Sequence, residues 1–251
     1  MEINKLTLST SDVPYKLRNI SQPPKSLFLA GGDLHELLKQ PCVTIVGSRK
    51  VSAYGKAVTA RLAEQLARAG VVIISGLALG VDSIAHRGAL QAGGHTIAVL
   101  PGGLDRIYPR SHYALAQQII QSGGVLLTEY PDGSEIYASN FIARNRLASG
   151  LCDALLITEA AEKSGTLHTA SFALEQGKEV LAVPGNIDSP TSAGTNNLIR
   201  TGARLVTCAA DVLDALGVSH QTAQQRVTSS NPNEQLLLDL LAAGHSDGAY
   251  L

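Results

Sequence analysis

The stretch that decides the fold reads VTIVGSRK at residues 43–50, followed by YG at 54–55. Four apolar or β-branched residues end abruptly in a Gly-Ser-Arg-Lys turn, and a run with strong helix signals begins at Gly55 and continues to Arg68. This succession is typical of a buried strand, a tight turn and a helix. Backbone N–H groups at such a helix start favour an anion, and Arg49 and Lys50 add positive charge at the same rim. The stretch therefore predicts an anion-facing loop, Gly47-Ser48-Arg49-Lys50, at the edge of a sheet.

The same alternation continues along the chain. Continuous apolar runs predict strands at 43–46, 71–74, 96–100, 125–127, 154–157, 179–183 and 204–206. Helices are predicted at about 55–69, 80–92, 111–121, 141–149, 166–176, 195–201 and 209–216. Buried strands that alternate with helices are typical of a mostly parallel sheet covered by helices on both faces. The sequence therefore predicts the α/β class.

Proline, glycine and polar residues suggest the domain boundaries. Residues 1–41 are expected to be an N-terminal lead-in, with a short strand at 26–30 and one or two helical turns at 33–39. The main domain is expected at 42–217 and a polar linker at 218–233. A short amphipathic helix begins at Glu234, which indicates either a tail helix or the start of a further domain at 234–251.

Composition limits the classes of function. The chain has 251 residues, of which 45% are hydrophobic and 16% charged, and its net charge is −1. It is therefore globular, and any basic nucleic-acid site must be local, because such proteins are often strongly basic. Three distant cysteines predict free thiols in a reducing compartment. The lack of a signal peptide or membrane-length apolar run predicts a cytoplasmic protein with no membrane partner.

Ligands of open parallel sheets bind beyond the carboxyl ends of the strands, and basic or small residues gather in those positions here. Arg144 and Arg146 flank Asn145, and the segment Lys163-Ser164-Gly165-Thr166 follows a later strand. The planar fork of arginine suits phosphate, so these residues, with Arg49 and Lys50, form a candidate phosphate pocket. Tyr54 and Phe141 can stack on a base, although core packing is an equal alternative for Phe141.

Other chemistries have less support. Asp82 and His86 have a spacing that a metal can use, but no third ligand is in view, so a helix-start charge and a packing histidine are favoured. Glu129 and Glu159 follow strands, where they can act as catalytic carboxylates or can pair with Arg144 or Arg146. The Gly-x-Ser-x-Gly, Gly-x-Gly-x-x-Gly and P-loop patterns are absent. No catalytic residue, metal or cofactor is predicted.

An ordered set of motifs across residues 43–213 resembles the DprA/Smf family of DNA-processing proteins. The motifs are IVGSR at 45–49, SGLALGVD at 75–82, TIAVL at 96–100, GLD at 103–105, YP at 108–109, F-x-x-RNR at 141–146, SGTL at 164–167 and PG at 184–185. Each motif alone is weak, but the ordered set is highly specific.

The resemblance implies an extended Rossmann-like domain that binds single-stranded DNA. Family members protect incoming DNA, load RecA recombinase onto it during natural transformation and act as homodimers; they are not known as enzymes. Carried over by motif, the pocket would use Arg49, Phe141, Arg144, Arg146, Lys163, Ser164, Gly165 and Thr166. The family pattern places the dimer surface around 197–216, with the recombinase nearby, and makes 231–251 resemble the start of a winged-helix domain.

The rival interpretation is enzymatic. LOG-type nucleotide phosphoribohydrolases share the broad fold and carry a catalytic glutamate shortly after a Gly-Thr pair. Here Gly165-Thr166 is followed by Leu167-His168-Thr169, without an acidic residue, and such a hydrolase needs that carboxylate. A sensor of a small nucleotide would share the same pocket, and the sequence leaves that alternative open.

Overall fold

The computed structural model describes residues 5–9 and 11–218. Within them the strands are β1 (Lys5–Leu8), β2 (Leu27–Gly31), β3 (Cys42–Gly47), β4 (Val72–Ser75), β5 (Thr96–Val99), β6 (Val125–Thr128), β7 (Ala154–Glu159), β8 (Glu179–Ala182) and β9 (Arg204–Leu205). The α-helices are α1 (Tyr15–Arg18), α2 (Leu34–Leu37), α3 (Ala53–Arg68), α4 (Val81–Gln91), α5 (Tyr113–Gln121), α6 (Ala138–Leu151), α7 (Thr166–Glu175), α8 (Ala193–Arg200) and α9 (Ala209–Ala215). A short 3-10 turn precedes α5.

These strands form one sheet in the order β1-β2-β6-β5-β4-β3-β7-β8-β9. From β6 to β9 every neighbouring pair is parallel, whereas β1 pairs with β2, and β2 with β6, in the antiparallel sense. The order runs backwards from β6 to β3 and forwards from β7 to β9. The boundary between β3 and β7 is therefore a topological switch point, where ligands of such sheets bind.

Helices cover both faces of the sheet, and the side chains of β4 show this directly. Ile73 packs in the same core cluster as Leu62 of α3, whereas Val72 and Ile74 pack in the cluster that holds Leu147 of α6. All of these side chains are almost fully buried. The predicted α/β class, with a mostly parallel sheet between two helical layers, is confirmed.

The N-terminal residues contribute strands that the sequence pattern indicates only in part. The strand predicted at 26–30 is β2, which pairs with β6. β1 was not predicted, because three of its four residues are exposed and its composition carries no buried face. α6 begins at Ala138, before the predicted start at 141. The predicted linker, except for Val218, and the helix predicted from Glu234 lie outside the described residues.

Two further sequence-based predictions concern membrane-spanning helices and the cysteines. In the described part of the chain, no helix has both the length and the apolar character needed to cross a bilayer. The cysteines are free: Cys42 and Cys152 are buried and Cys208 is exposed.

Candidate nucleic-acid interface

A cleft of about 540 Å³ opens at the switch point, and we call it the central cleft. The ends of β3 and β7, the start of α4, and helices α6 and α7 surround it. It brings together ten of the predicted site residues: Gly47, Ser48, Arg49, Lys50, Phe141, Arg144, Asn145, Ser164, Gly165 and Thr166. Lys163 and Arg146 are not among the residues that line it.

The backbone of the loop after β3 is held on two sides. The Ser48 N–H donates to the carbonyl of Glu159 at 2.8 Å, and the Ser48 carbonyl accepts from the Val81 N–H at 3.1 Å. Gly80 has φ of +80°, and a Cβ there would approach the Ser48 carbonyl oxygen to 2.2 Å. The glycine before α4 thus permits both the left-handed backbone and the close approach of the loop.

The helix start that follows this loop already holds an anion, which is the carboxylate of Glu159. Its Oε1 accepts from the Ser52 N–H at 3.0 Å, and its Oε2 accepts from the Ser52 hydroxyl. Ser52 Oγ in turn caps the Gly55 N–H at 3.0 Å. Glu159 is 1% exposed, so its charge is stabilised by the N-terminal end of α3. The chain therefore supplies one anion of its own beside this helix start, and the expectation that an external anion binds the adjoining loop stays a prediction.

The start of α7 offers one free backbone donor. α7 has ten residues, and the N–H of its first residue, Thr166, donates to Ser164 Oγ at 3.2 Å, whereas the Gly165 N–H bonds to no described residue. Ser164 Oγ donates to Thr166 Oγ1 at 3.0 Å, which donates to the Gly47 carbonyl at 3.1 Å. This chain of hydroxyls fixes the helix start beside β3. A Cβ at Gly165 would meet no heavy atom within 4 Å, so a ligand can approach the backbone closely.

Arg49 supplies a cation at the rim of the central cleft. Its guanidinium carbon lies 5.2 Å from the centroid of the Phe141 ring, and it makes no ion pair with any described residue. The Phe141 ring packs edge-to-face on Tyr108 with centroids 5.3 Å apart, which holds it at the cleft and out of the core. Lys50 is exposed at the same rim. Cation and aromatic ring therefore meet where a nucleotide can contact both.

Arg144 forms the floor of the central cleft. It is 4% exposed, and its Nη1 donates to the carbonyls of Gly76, at 2.5 Å, and of Val99. Beside it, Asp82 Oδ2 accepts from the Gly76 N–H at 3.1 Å. Burial raises the pKa of Asp82, while the Arg144 charge opposes that shift. Arg144 therefore ties α6 to the ends of β4 and β5 and places a positive charge beneath the ligand space.

Arg146 points elsewhere, which corrects its assignment to the pocket. Its guanidinium makes a two-pronged ion pair with Glu129, at 2.8 Å from Nη1 to Oε1 and 2.6 Å from Nη2 to Oε2. Its Nε also donates to the Gln22 carbonyl at 2.9 Å. The interpretation that Glu129 pairs with an arginine is confirmed. Glu159 pairs with neither Arg144 nor Arg146, and Lys163 lies exposed outside the cleft.

Asp82 and His86 do not converge on a common ligand. His86 Nδ1 lies 2.7 Å from Thr96 Oγ1, and that hydroxyl donates to the Ile73 carbonyl, so His86 donates through Nδ1. Its Nε2 is buried without a partner, and burial lowers the pKa of His86 to about 3. In the part of the chain that the structure describes, no three His, Cys, Asp or Glu side chains are grouped as a metal site would need.

Some lining residues were not predicted as site residues. Asp82, Ile142 and Thr191 also line the central cleft, and Tyr108 supports Phe141. Ile142 follows Phe141 directly, so its position within the F-x-x-RNR motif is the sequence feature that indicates its place in the cleft. Thr191 lies in an irregular segment after β8, where the sequence carries no periodicity that would orient it.

Comparisons with known proteins identify the family of the chain. Residues 4–217 match the family model described as "DNA recombination-mediator protein A". The chain is 41% identical over 214 residues to the DNA processing protein DprA of Bacillus subtilis, covering 85% of this chain and 71% of that protein. It is 45% identical over 203 residues to Protein Smf of Escherichia coli, covering 81% of this chain but only 54% of that protein.

A solved structure extends the likeness to three dimensions. DNA processing protein A from Helicobacter pylori, whose structure is described as giving insight into its single-stranded DNA binding mode, superimposes with a TM-score of 0.77. It is 36% identical, and the match covers 85% of this chain and 96% of that one. The switch-point cleft and the resemblance first seen in the motifs thus lead to one assignment: this chain belongs to the DNA recombination-mediator protein A family, the DprA/Smf family.

Proposed function

We propose that this chain binds single-stranded DNA in the central cleft, protects incoming DNA and loads RecA recombinase onto it during natural transformation. Support comes from relatives named DNA processing protein DprA and from the H. pylori structure concerned with single-stranded DNA binding. On this proposal the chain is a binding protein that acts without catalysis or a cofactor.

The observation that carries the proposal is the combination of three groups in one cleft. The free N–H at the start of α7 suits a phosphate oxygen, Arg49 and Lys50 supply charge, and the Phe141 ring offers a surface for a base. Together they are complementary to the phosphate and the base, which are present in every nucleotide of a strand. Phosphate contacts and stacking carry little sequence information, so we expect little sequence preference.

The test is fluorescence anisotropy of a labelled oligo-dT strand and of its duplex across a salt series. We expect tight, salt-sensitive binding to the single strand and weaker binding to the duplex, because only unpaired bases can stack on Phe141. Arg49→Ala should weaken binding equally for different sequences and reduce the salt slope by about one phosphate. Arg61→Ala, at an exposed position of α3 outside the cleft, is the matched control. Unchanged affinity in Arg49→Ala would place the interface elsewhere.

The rival functions predict different results in the same experiment. A protein that binds neither strand nor duplex but binds a nucleoside monophosphate would be a nucleotide sensor. Release of the free base from that nucleotide would identify a LOG-like phosphoribohydrolase. No acidic residue follows Gly165-Thr166 within the next three positions, and Glu129 and Glu159 are both engaged in internal contacts, so we favour binding without hydrolysis.

Assembly with a second copy and with the recombinase is a separate part of the proposal. The residues around 197–216 include β9, the strand at one edge of the sheet, and its Leu205 is 45% exposed. An edge strand with an exposed leucine is suited to pairing across a homodimer, with RecA nearby. Light scattering at micromolar concentration should give the mass of a dimer, and a monomer would contradict this surface.

A further inference from the structure

A second cleft, which we call the side cleft, opens beside the central one. Its volume is about 510 Å³, within the range of ligand pockets. It lies beyond the carboxyl end of β8, between that end and the start of α3. The residues that line it are Ser52, Tyr54, Pro184, Gly185, Asn186, Ser189 and Ser192. None of these side chains carries a charge at neutral pH, so the side cleft is unlike the central cleft and is not built for phosphate.

Tyr54 provides a fixed aromatic surface in the side cleft. Its hydroxyl donates to the Pro184 carbonyl at 2.7 Å, although the residue is 49% exposed. The backbone of Gly185, which follows Pro184, is also fixed, because Asn196 Nδ2 donates to the Gly185 carbonyl at 3.0 Å and Asn196 Oδ1 accepts from the Gly185 N–H at 3.1 Å. A half-exposed ring that is already held in place loses little conformational freedom when a ligand stacks on it.

Asn186 adds a polar group with unused hydrogen-bonding capacity. Its Oδ1 accepts from the Asp188 N–H at 2.9 Å, which leaves its amide N–H groups without a partner among the described residues. A neutral space with an aromatic face and a free amide donor is complementary to a nucleobase, which has a π-face and carbonyl or ring-nitrogen acceptors.

The two clefts adjoin at two points of the chain. Lys50 lines the central cleft and Ser52 the side cleft, and two residues of backbone span at most about 7 Å. Thr191 and Ser192, which are consecutive, likewise line one cleft each. A strand held by its phosphate at Arg49 and Lys50 can therefore place a neighbouring nucleotide in the side cleft.

We propose that the side cleft receives a nucleobase of the same DNA strand, with Tyr54 as its stacking surface and Asn186 as a hydrogen-bond donor. The proposal rests on the proposed function, because it needs the strand to be held in the central cleft. It adds a contact to the base that is independent of charge.

The test separates base contacts from phosphate contacts. Tyr54→Leu should weaken binding of oligo-dT by about tenfold, as expected for loss of one stacked base, with an unchanged salt slope. On a strand of equal length made of abasic nucleotides, Tyr54→Leu and the unchanged protein should bind equally. Tyr54→Phe, which keeps the ring, should restore most of the affinity that Tyr54→Leu loses. Tyr113→Leu, an exposed tyrosine outside both clefts, controls for the general loss of an aromatic surface.

The outcomes distinguish the two proposals. If Arg49→Ala weakens binding and flattens the salt slope while Tyr54→Leu binds oligo-dT normally, the side cleft takes no base and only this inference fails. An equal loss on abasic and on normal strands would also overturn it, because Tyr54 would then act without the base. If the unchanged protein binds no single strand, the proposed function fails and this inference fails with it.

Discussion

Arg146 and Glu129 make a nearly buried ion pair, and its role at the residue scale is structural. Their side chains are 9% and 17% exposed. Arg146→Ala leaves the Glu129 charge buried without its partner, so we expect a loss of about 3 kcal/mol in the free energy of unfolding. Affinity for single-stranded DNA, measured on the folded fraction, should not change. Denaturant unfolding and anisotropy on the same sample measure the two effects.

One result would contradict a purely structural role for Arg146. A variant that unfolds like the unchanged protein but binds DNA more weakly, with a smaller salt slope, would return Arg146 to the interface. Arg61→Ala, which removes an exposed arginine of α3, controls for the loss of one positive charge from the molecule as a whole.

The Arg-Asn-Arg motif shows what sequence reasoning reached at the residue scale and where it failed. It located both arginines near the switch point, and Arg144 does line the cleft. Residues two apart on a helix are not direct neighbours on its surface, and here Arg144 lines the cleft whereas Arg146 turns to Glu129. The orientation of Arg146 depends on Glu129, which is distant in sequence, and no local pattern indicates that contact.

At the scale of the element, α7 is the helix whose start is open to a ligand. Gly165 has φ of −59° and ψ of −17°, values that any residue adopts, and space surrounds its Cα. Gly165→Ala should therefore leave stability unchanged or slightly raised. It should nevertheless weaken binding of oligo-dT, because the added methyl group occupies the place where a phosphate approaches the N–H.

Thermal unfolding and anisotropy test this variant together. Gly133→Ala is a useful comparison, because that glycine has φ of +81° and open space around it; it should lose stability and keep its affinity. Equal DNA binding by Gly165→Ala and the unchanged protein would show that no phosphate approaches the start of α7.

The elements themselves were largely predictable. A short apolar run predicts each of the strands β3 to β8, because almost all of their residues are buried and need no alternation. The predicted run at 204–206 also locates β9, although Leu205 is exposed. β1 has no such run. The distinction between the starts of α3 and α7 was also beyond the sequence, since it depends on Glu159, which reaches α3 from β7.

At the scale of the whole molecule, acid should weaken the fold through His86. The pKa of His86 is about 3 in the folded chain, below its ordinary value near 6.5, because burial disfavours the charged ring. Between these values the unfolded chain binds a proton that the folded chain does not. The free energy of unfolding should therefore fall as the pH falls from 6.5 towards 3, by up to about 1.4 kcal/mol per pH unit, and be unaffected by this group above 6.5.

Denaturant unfolding at several pH values measures this dependence. His86→Gln cannot titrate, so its stability should fall less steeply with acid than that of the unchanged protein. His35→Gln, at an exposed position, should keep the original slope. The same slope in His86→Gln and the unchanged protein would assign the acid sensitivity to other groups.

The order of the strands in the sheet is also a property of the whole molecule. The alternation of strands and helices predicted the class of fold, and the family resemblance predicted the Rossmann-like arrangement. The two antiparallel strands at the edge depend on residues 5–41 folding back beside β6, a long-range pairing that local patterns do not encode.

The carboxylate of Glu159 has a consequence for the kinetics of binding. Because Glu159 already fixes the start of α3 and the adjoining loop, we expect the backbone around Arg49 to keep its shape when DNA binds. A strand then meets a surface that needs no slow backbone ordering, so encounter is governed by long-range attraction to the exposed cations. Differences in affinity among variants of this site should accordingly lie mainly in how long a strand stays bound.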